Sequence, residues 1–349
     1  MAPSPQAYYS SSMRAAVLDE PESPLTLVEL PDPRPDRGQL LVRVEACGAC
    51  HSDIHLADGE WRDTLSRRVR PTILGHEIVG TIEERGAGMA GLNVGERVGV
   101  GWVGWSCGEC EFCLGGDDNL CLKRRVTGID MPGGYATHAI LHASQAIRIP
   151  ATLPPTEAAP LLCAGVTVYR GMRKAAITPG QRVAVFGVGG LGHIAVQLAK
   201  LAGATTVAVD LDEEKLALAR TLGCDLALAA DRATTSILAL GGAHVAVVTA
   251  ASAAAYDAAL HSMRKGGTIV VAGLPSEPLG WLADGLATSE VRIVGSAVGS
   301  RADLSAILEL AASGRVRCVV ETVALEEINE AFDRFRRGRV TGRIVVVPK

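Results

Sequence analysis

The amino-acid sequence predicts an α/β protein in which a doubly wound parallel sheet domain follows a β-rich domain. The chain has 349 residues, above the size at which one hydrophobic core usually keeps growing, and this length favours two domains. From about residue 180, six short apolar runs alternate with amphipathic helical stretches. This alternation is typical of right-handed βαβ units, and six strands are enough for a complete dinucleotide-binding sheet.

The first 160 residues have a different pattern, with short apolar runs such as LLVRVEACG and EIVGTIEERG separated by Gly and Pro. Such runs indicate β-strands joined by turns. The first strand is predicted to begin at Met13, and the Pro- and Ser-rich residues before it, 1–12, are expected to be a flexible leader. After residue 300 the pattern predicts two more helices, about 301–314 and 325–337, and a last strand, GRIVVVP.

Composition and charge exclude several classes of protein. Hydrophobic residues make up 48% of the chain and charged residues 21%, as in ordinary globular proteins, and the formal net charge is -4. Without a long basic block, neither nucleic acid nor an anionic membrane is expected as a partner. The sequence shows no secretory signal and no uninterrupted apolar run of about 20 residues. The nine cysteines, an odd number, then favour a reducing compartment, and we expect a cytoplasmic protein.

A glycine-rich loop lies between the first strand and the first helix of the predicted parallel sheet. Gly187, Gly189 and Gly192 have the spacing G-x-G-x-x-G, and Gly190 is an additional glycine. The first glycine permits the turn, the second lets the backbone approach a pyrophosphate, and the third packs the helix on the strand. The alternative is a turn-rich βα junction without a ligand, but the position between strand and helix favours dinucleotide binding.

The next strand ends at Asp210, at the position where a carboxylate can accept hydrogen bonds from the adenosine ribose hydroxyls. The same carboxylate would repel a 2′-phosphate, and NAD is therefore expected in preference to NADP. Lys215, a few residues farther on, is also expected to contact the cofactor.

Four cysteines form the pattern C-x2-C-x2-C-x7-C: Cys107, Cys110, Cys113 and Cys121. Four thiolates so close in sequence can complete a tetrahedral shell around one zinc ion, leaving no position for a substrate. We therefore predict a structural zinc site here. An iron–sulfur cluster or a disulfide pair remains an alternative, because spacing alone does not name the metal.

A second group of metal-ligand residues is dispersed along the chain. It comprises Cys50-His51-Ser52-Asp53 with His55, then Gly75-His76-Glu77, and finally Cys163. Each of these residues alone could belong to an ordinary core or surface. Together they offer two thiolates and an imidazole, the open three-ligand set that a catalytic zinc uses.

With these motifs in order, the sequence resembles the zinc-dependent alcohol dehydrogenases of the medium-chain dehydrogenase/reductase family. The similarity covers nearly the whole chain after Met13 and includes ACHSDIH, LGHEIVG, LLCAGVTVY, GVGGLGH and the closing GRIVVV. It implies a GroES-like catalytic domain over 13–163, a Rossmann domain over 164–298, and a return to the catalytic domain over 299–349.

The resemblance also implies the metal ligands of the second group. Cys50, His76 and Cys163 match the ligands of the catalytic zinc. Glu77 matches a carboxylate that can act as an exchanging ligand, and Asp53 matches the carboxylate that orients the ligand histidine.

Further roles follow from the same resemblance. Ser52 matches the hydroxyl that hydrogen-bonds the substrate oxygen, and His55 matches the outer end of a proton relay through Ser52 and the cofactor ribose. His51 and Arg343 match contacts to the cofactor phosphates, and Thr167 matches a residue beside the nicotinamide.

Two tryptophans match positions that line the family's substrate cleft. Trp61 follows the CHSDIH motif, and Trp102 is expected on the strand that leads into the four-cysteine loop. Ordinary packing is the alternative for one or both. If both rings line the cleft, they predict a narrow site for short, unhindered alcohols.

The family resemblance predicts reversible oxidation of primary or secondary alcohols to aldehydes or ketones, with two zinc ions per chain and hydride transfer to NAD. Family relatives that act on a polyol, a formaldehyde adduct or an aromatic alcohol remain alternatives. A zinc-free quinone reductase or a non-catalytic NAD-binding protein would lack ligand or relay residues that are all present here. A zinc-ribbon nucleic-acid binder would need a basic loop, whereas acidic residues flank these cysteines. A homo-oligomer is expected, with a tetramer favoured and a dimer as the alternative.

Overall fold

The structure is a computed structural model that describes residues 12–88, 91–281 and 283–348. The chain divides into two compact units. The first unit contains the chain as far as Cys163, together with Val320–Arg339 and the segment from Ile344 onward. The second contains Ala164–Val319 and Val340–Arg343. The predicted leader lies outside the described residues except for Ser12, which already pairs with Pro31 in the first strand.

The first unit is built around antiparallel strands. Its strands are β1 (Ser12–Val17), β2 (Thr26–Pro31), β3 (Gln39–Gly48), β4 (Ile78–Arg85), β5 (Arg97–Val100), β6 (Val103–Trp105), β7 (Arg125–Val126), β8 (His138–His142), β9 (Ile147–Arg148), β16 (Val320–Ala324) and β17 (Arg343–Val347). Strands β1 and β2 form one ribbon and β6 and β7 another, while the other strands form a seven-stranded sheet. The long strand β3 pairs with β4, β8 and β17 in antiparallel register. Most of its side chains are buried, which explains the nearly continuous apolar run in its sequence.

Short helices connect the strands of the first unit. They are α1 (His51–Ala57), α2 (Arg62–Leu65), α3 (Glu111–Leu114), α4 (Pro155–Ala158) and α12 (Ile328–Arg336). Single 3₁₀ turns cover Asp118–Leu120, Ala159–Leu162 and Leu325–Glu327. Proline precedes and begins α4, in agreement with its preference for the first helical turn.

The second unit is a six-stranded parallel sheet in the strand order β12-β11-β10-β13-β14-β15. Its strands are β10 (Arg182–Phe186), β11 (Thr205–Asp210), β12 (Leu226–Ala229), β13 (Ala243–Val248), β14 (Met263–Val271) and β15 (Arg292–Gly295). This is the order of a doubly wound dinucleotide-binding fold, with the switch of direction beside β10. Small and β-branched side chains from β10, β11 and β13 form its core with Phe186 and Tyr256. The fold class predicted from the sequence is confirmed.

The helices of the second unit are α5 (Ala164–Lys174), α6 (Gly192–Leu201), α7 (Glu213–Thr221), α8 (Ala230–Ala239), α9 (Ala253–His261), α10 (Ala283–Ser289) and α11 (Arg301–Ala312). The turns that follow α6 and α7 contain Gly203 and Gly223, with φ of 74° and 86°. Glycine adopts this left-handed conformation without steric cost, so a glycine is suited to the end of each helix.

The chain returns to the first unit at Val320, later than the expected residue 299. Helix α11 belongs to the second unit because it packs against α5. Asp303 is completely buried at the start of α11, and its carboxylate lies 2.8 Å from Arg170 and 2.6 Å from Arg173 of α5. A buried carboxylate needs such partners, so these ion pairs hold α11 on the dinucleotide fold.

Candidate functional site: a buried zinc centre and a dinucleotide loop

Four potential metal ligands meet in the interior of the first unit. The donor atoms of Cys50, His76, Glu77 and Cys163 all lie within 4.8 Å of one another, and all four residues are buried. Cys50 immediately precedes α1, His76 and Glu77 precede β4, and Cys163 follows the 3₁₀ turn Ala159–Leu162. The fold therefore brings together residues that are far apart in sequence.

The distances between these donors agree with tetrahedral zinc coordination. The Sγ atoms of Cys50 and Cys163 are 4.0 Å apart, and His76 Nε2 lies 3.4 Å from Cys163 Sγ. Zinc bonds of the usual lengths at tetrahedral angles place two sulfurs about 3.8 Å apart and a sulfur and a nitrogen about 3.5 Å apart. Two thiolates and one imidazole therefore fit a zinc ion and leave a fourth position for another ligand.

Asp53 links the ligand residues to one another. Its Oδ1 lies 3.3 Å from His76 Nδ1 and accepts a hydrogen bond from Gly75 N–H, while its Oδ2 accepts one from Cys50 N–H. The hydroxyl of Tyr135 donates a further hydrogen bond of 2.8 Å to Oδ2. A carboxylate on Nδ1 directs the other ring nitrogen, Nε2, towards the metal position, the arrangement that metal-bound histidines generally have.

The same neighbours set the electrostatics of His76. Burial opposes the charged imidazolium, but the Asp53 carboxylate and the Cys50 sulfur outweigh burial, and the pKa of His76 is raised well above its usual value. Such an anionic pocket stabilises positive charge. A divalent zinc ion carries more charge than a proton and competes with it for His76.

Glu77 occupies a space that only glycine leaves open. Its side chain is fully buried, and a Cβ atom built on Gly48 would overlap Glu77 Oε2. Gly48 ends β3 directly before the ligand segment, so the absence of its side chain admits the carboxylate to the cluster. Sequence reasoning missed both Gly48 and Tyr135, because each acts through a contact distant in sequence.

Helix α1 presents the remaining polar candidates of the first unit. Ser52 Oγ lies 3.8 Å from Cys50 Sγ, beside the ligand cluster. His55 lies one turn farther along, and its Nδ1 is 2.6 Å from Glu60 Oε2. His51 is exposed, and its ring meets the Phe335 ring edge-on at 5.3 Å.

An aromatic row runs from His55 to the ligand His76. Trp61 stacks on His55 with ring centres 5.0 Å apart, and it meets Trp102 edge-on at 6.3 Å. Trp102 in turn meets His76 edge-on at 4.8 Å. Trp102 was expected on a strand, but it lies in the turn between β5 and β6. Side chains on a strand point alternately to its two faces. Because Trp102 is not part of a strand, its ring can turn towards the ligand histidine.

The four-cysteine loop forms a second, separate ligand group in the first unit. The donor sulfurs of Cys107, Cys110, Cys113 and Cys121 lie within 4.8 Å of one another. Cys107 Sγ is 3.8 Å from Cys113 Sγ and 3.5 Å from Cys121 Sγ, close to the roughly 3.8 Å of a tetrahedral zinc–thiolate site. All nine cysteines lie in the described residues, and none of them forms a disulfide.

Backbone amides support the charge of this loop. Hydrogen bonds from the backbone at Glu109 lower the pKa of Cys107 to about 6, while burial raises the pKa of Cys113 to about 11. The loop thus favours the thiolate of Cys107 by its own backbone and disfavours that of Cys113.

The glycine loop of the second unit has the geometry of a phosphate-binding turn. Gly187 has φ of 93°, and a Cβ atom on Gly192 would overlap the Gly187 carbonyl oxygen. A Cβ on Gly189, in contrast, would meet no atom within 4 Å. The first and third glycines are therefore required by the turn itself, whereas the space beside Gly189 is open, as a phosphate-binding loop requires.

Asp210 lies beside this loop at the end of β11. Its Oδ2 accepts a 2.6 Å hydrogen bond from Val188 N–H, and its Oδ1 accepts hydrogen bonds from the amides of Leu211 and Asp212. Lys215 lies in the first turns of α7 and is half-buried. The carboxylate thus anchors the glycine loop directly, a contact that spacing alone did not reveal.

Two further predicted cofactor residues lie in the second unit. Arg343 is buried, and its side chain packs on the glycine loop, with Cδ 2.7 Å from the place where a Cβ of Gly190 would be. Thr167 is also buried, in α5, and its carbonyl oxygen accepts a hydrogen bond from Ser296 Oγ.

Comparison with known proteins agrees with this geometry. The alcohol dehydrogenase GroES-like domain matches residues 36–151, and the zinc-binding dehydrogenase domain matches residues 190–313. An alcohol dehydrogenase of Geobacillus stearothermophilus is 44% identical over 337 residues, which are 96% of this chain and 99% of that protein.

Solved structures show the same similarity. The alcohol dehydrogenase of Aeropyrum pernix has a TM-score of 0.90 and 37% identity, covering 96% of this chain and 100% of that one. The acetophenone reductase of Geotrichum candidum in complex with NAD has a TM-score of 0.87 and 30% identity, with coverage of 96% and 97%. The chain therefore belongs to the zinc-dependent alcohol dehydrogenases of the medium-chain dehydrogenase/reductase family.

Proposed function

We propose that this chain reversibly oxidises primary or secondary alcohols to aldehydes or ketones, with Cys50, His76 and Cys163 holding the catalytic zinc. The observation that supports this assignment is the agreement of the three donor atoms with tetrahedral zinc distances, with Asp53 against the outer nitrogen of His76. When bound, zinc supplies the Lewis acid that polarises the alcohol oxygen, and NAD accepts the hydride.

The protein's own residues orient the alcohol and remove its proton. Ser52 Oγ, next to Cys50 Sγ, hydrogen-bonds the substrate oxygen, and as it accepts the substrate's proton it passes its own hydroxyl proton on towards the cofactor ribose and His55. His55 then takes up the proton at the outer end of α1. Glu60 holds the His55 ring by its Nδ1 and leaves Nε2 for proton exchange. Glu77 serves as the exchanging carboxylate beside the metal.

The four-cysteine loop holds a second zinc ion with a structural role. All four positions of a tetrahedral shell are then occupied by Cys107, Cys110, Cys113 and Cys121. Binding of this ion contributes folding free energy to the loop, because the loop has little apolar core of its own.

NAD is the preferred cofactor in this proposal. The Asp210 carboxylate at the end of β11 accepts hydrogen bonds from a ribose and repels a 2′-phosphate. The amides of the loop around Gly189 and Gly190, with Arg343 packed on them, bind the pyrophosphate. Lys215 and His51 contribute further cofactor contacts, and Thr167 lies beside the nicotinamide.

The substrate is a short, unhindered alcohol. Trp102 contacts His76, and Trp61 contacts Trp102, so two large rigid rings lie next to the ligand cluster. Each ring occupies on the order of 200 Å² of apolar surface, which leaves a narrow site beside the metal.

We further propose that the chain forms a homo-oligomer, a tetramer in preference to a dimer. Strand β15 lies at one end of the six-stranded sheet, and its Ile293 is 44% exposed. An open edge with an exposed apolar residue is suited to pairing with a second copy.

A cytoplasmic location is part of the same proposal. Six of the cysteines are zinc ligands in it, and thiolate ligands require reducing surroundings. Within the described ranges, no helix is long and apolar enough to cross a membrane.

The proposed activity is tested by following NADH formation with a panel of alcohols. Ethanol, 2-propanol, benzyl alcohol, a polyol and a formaldehyde–thiol adduct distinguish the family's substrate classes. We expect the highest kcat/KM with ethanol or 2-propanol and loss of turnover after zinc is removed by a chelator. Equal turnover with and without zinc, or activity on the polyol alone, would contradict the proposal.

A further inference from the structure

His193 is a completely buried histidine directly behind the glycine loop. It is the second residue of α6, and none of its surface is exposed. Its Nε2 lies 3.2 Å from the backbone nitrogen of Val319, and its Nδ1 lies 2.9 Å from the carbonyl oxygen of Gly189. Both ring nitrogens therefore have a backbone partner.

These two partners determine the protonation of the ring. A backbone N–H can only donate, so Nε2 accepts from Val319 and carries no proton. A carbonyl oxygen can only accept, so Nδ1 carries the proton and donates to Gly189. Burial lowers the pKa of His193 to about 4, so the neutral form persists at physiological pH. One tautomer of a neutral imidazole thus satisfies both contacts.

The contact with Gly189 also determines the direction of the next amide. In a trans peptide the C=O and the following N–H point in opposite directions. Because the Gly189 carbonyl points at the imidazole, the Gly190 N–H points away from it. Glycine has more backbone freedom than any other residue. The backbone N–H of His193 also donates to the Gly189 carbonyl oxygen, at 3.2 Å, so the shorter imidazole bond is the second one that holds this peptide in one orientation.

The contact with Val319 connects the ring to Arg343. The Val319 carbonyl oxygen accepts a 2.9 Å hydrogen bond from Arg343 N–H. The Arg343 side chain then returns to the glycine loop, where it packs on Gly190. A closed path therefore runs from Gly189 through His193, Val319 and Arg343 back to the loop, and all of it lies in the second unit.

We propose that His193 is a positioning residue for the cofactor pyrophosphate. The neutral imidazole acts together with the backbone N–H of the same residue to orient the Gly189–Gly190 peptide, and it also fixes the backbone that holds Arg343, so that amide and guanidinium face one phosphate-binding space. The inference rests on the proposed function, because it takes the glycine loop as the cofactor site. His193 touches no substrate, and its effect passes through Gly189 and Arg343.

A second buried residue on α6 provides a matched control. Gln197 lies one turn beyond His193 and hydrogen-bonds Arg317, two residues before Val319. Its amide nitrogen is 2.9 Å from Arg317 O, and its amide oxygen is 3.0 Å from Arg317 N. Its other hydrogen bond is to the carbonyl oxygen of His193, so it makes no contact with the glycine loop itself. Replacing Gln197 disturbs the packing of α6 on the segment that contains Arg317 and Val319, but it leaves the hydrogen bond between the His193 ring and Gly189 in place.

The test compares two ligands whose main difference is the pyrophosphate with its terminal ribose. Dissociation constants of ADP-ribose and adenosine are measured by competition against NADH fluorescence for the wild type, His193→Leu, His193→Asn, His193→Gln and Gln197→Leu. Thermal unfolding of each variant reports the stability loss separately. The readout is the ratio of the two dissociation constants, which a general loss of stability does not change.

We expect His193→Leu to weaken ADP-ribose binding about tenfold, with adenosine changed less than about threefold. His193→Asn, whose amide can still donate to Gly189, restores most of the binding, whereas His193→Gln, which reaches only Val319, does not. Gln197→Leu lowers the melting temperature and leaves the ratio unchanged. If His193→Leu fails to fold, the comparison of Asn with Gln decides the question by the same ratio.

Two results would overturn the inference. One is equal weakening of ADP-ribose and adenosine in the His193 variants, and the other is an unchanged ratio in all of them. If the wild type itself binds ADP-ribose no tighter than adenosine, the proposed cofactor site fails, and that outcome is distinct from a failure of His193 alone.

Discussion

The carboxylate of Asp53 lies 3.3 Å from Nδ1 of His76, and both side chains are almost completely buried. This pair connects α1 to the segment before β4 and sets the ring orientation of the central metal ligand. Asp53 also accepts hydrogen bonds from the backbone N–H groups of Cys50 and Gly75. One side chain therefore holds together the segment that carries Cys50 and the segment that carries His76.

Replacing Asp53 by Asn is expected to weaken zinc binding at the catalytic site by about 10- to 100-fold. The neutral amide no longer stabilises the metal-bound imidazole, although its size is unchanged. Competition of each protein with a chromogenic zinc chelator measures the effect. Tyr135→Phe is the control, since it removes only the hydroxyl on Oδ2 and should cost about 1 kcal/mol of stability. Equal zinc affinity in Asp53→Asn and wild type would contradict the role of this pair.

Gly48→Ala is expected to displace Glu77 and to lower kcat, with a stability loss of about 1–3 kcal/mol. The added methyl group would overlap the Glu77 carboxylate. Denaturant unfolding and steady-state kinetics of Gly48→Ala, Glu77→Ala and the double variant form a double-mutant cycle. We expect the double variant to be more stable than the sum of the single losses. Additive losses would show that the clash is with another group. Gly280→Ala, where a Cβ meets no atom within 4 Å, is the control.

Asp210→Asn is expected to narrow the preference for NAD over NADP. The wild type should prefer NAD by more than about tenfold in kcat/KM, because the carboxylate repels the 2′-phosphate. Asn keeps an oxygen that can accept from Val188 N–H, so the glycine loop stays anchored while the charge is lost. The kcat/KM of the variant for NADP should rise, mainly because its KM for NADP falls. A wild type that uses both cofactors equally would show that Asp210 does not select the cofactor.

Trp102→Ala is expected to widen the substrate site. Its ring meets His76 edge-on at 4.8 Å, so truncation removes bulk directly beside the ligand cluster. The kcat/KM for a bulky secondary alcohol should rise relative to that for 2-propanol by about tenfold. A proportional loss for large and small alcohols would mean that Trp102 supports the fold and does not shape the pocket. Trp105→Ala, whose ring meets His142, is the matched control.

The sequence predicted local features of this protein more completely than distant ones. The glycine loop could be derived from spacing, because Gly187 and Gly192 meet each other within one turn. The four-cysteine loop could be derived in the same way. The catalytic ligand set came from family resemblance, since nothing in the spacing of Cys50, His76 and Cys163 shows that they meet.

Contacts between distant segments account for what the sequence did not show. Tyr135 lies just before β8 and donates to Asp53 of α1, which is 82 residues earlier in the chain, and no local pattern marks this contact. The expected boundary at residue 299 was too early, because the helical pattern of α11 does not reveal that Asp303 pairs with Arg170. Both features depend on which elements pack together, and periodicity alone does not determine that.

The zinc content and turnover of Cys163→Ala test the central claim most directly. Wild-type protein should retain two zinc ions per chain, one for each ligand group, after extensive dialysis. Cys163→Ala should retain one zinc, unfold near the wild-type temperature, and lose about a thousandfold or more of its alcohol-dependent NAD reduction. Cys110→Ala, the matched control, should also lose one zinc but unfold at a clearly lower temperature. If Cys163→Ala kept both zinc ions and its turnover, the proposed catalytic centre would be wrong.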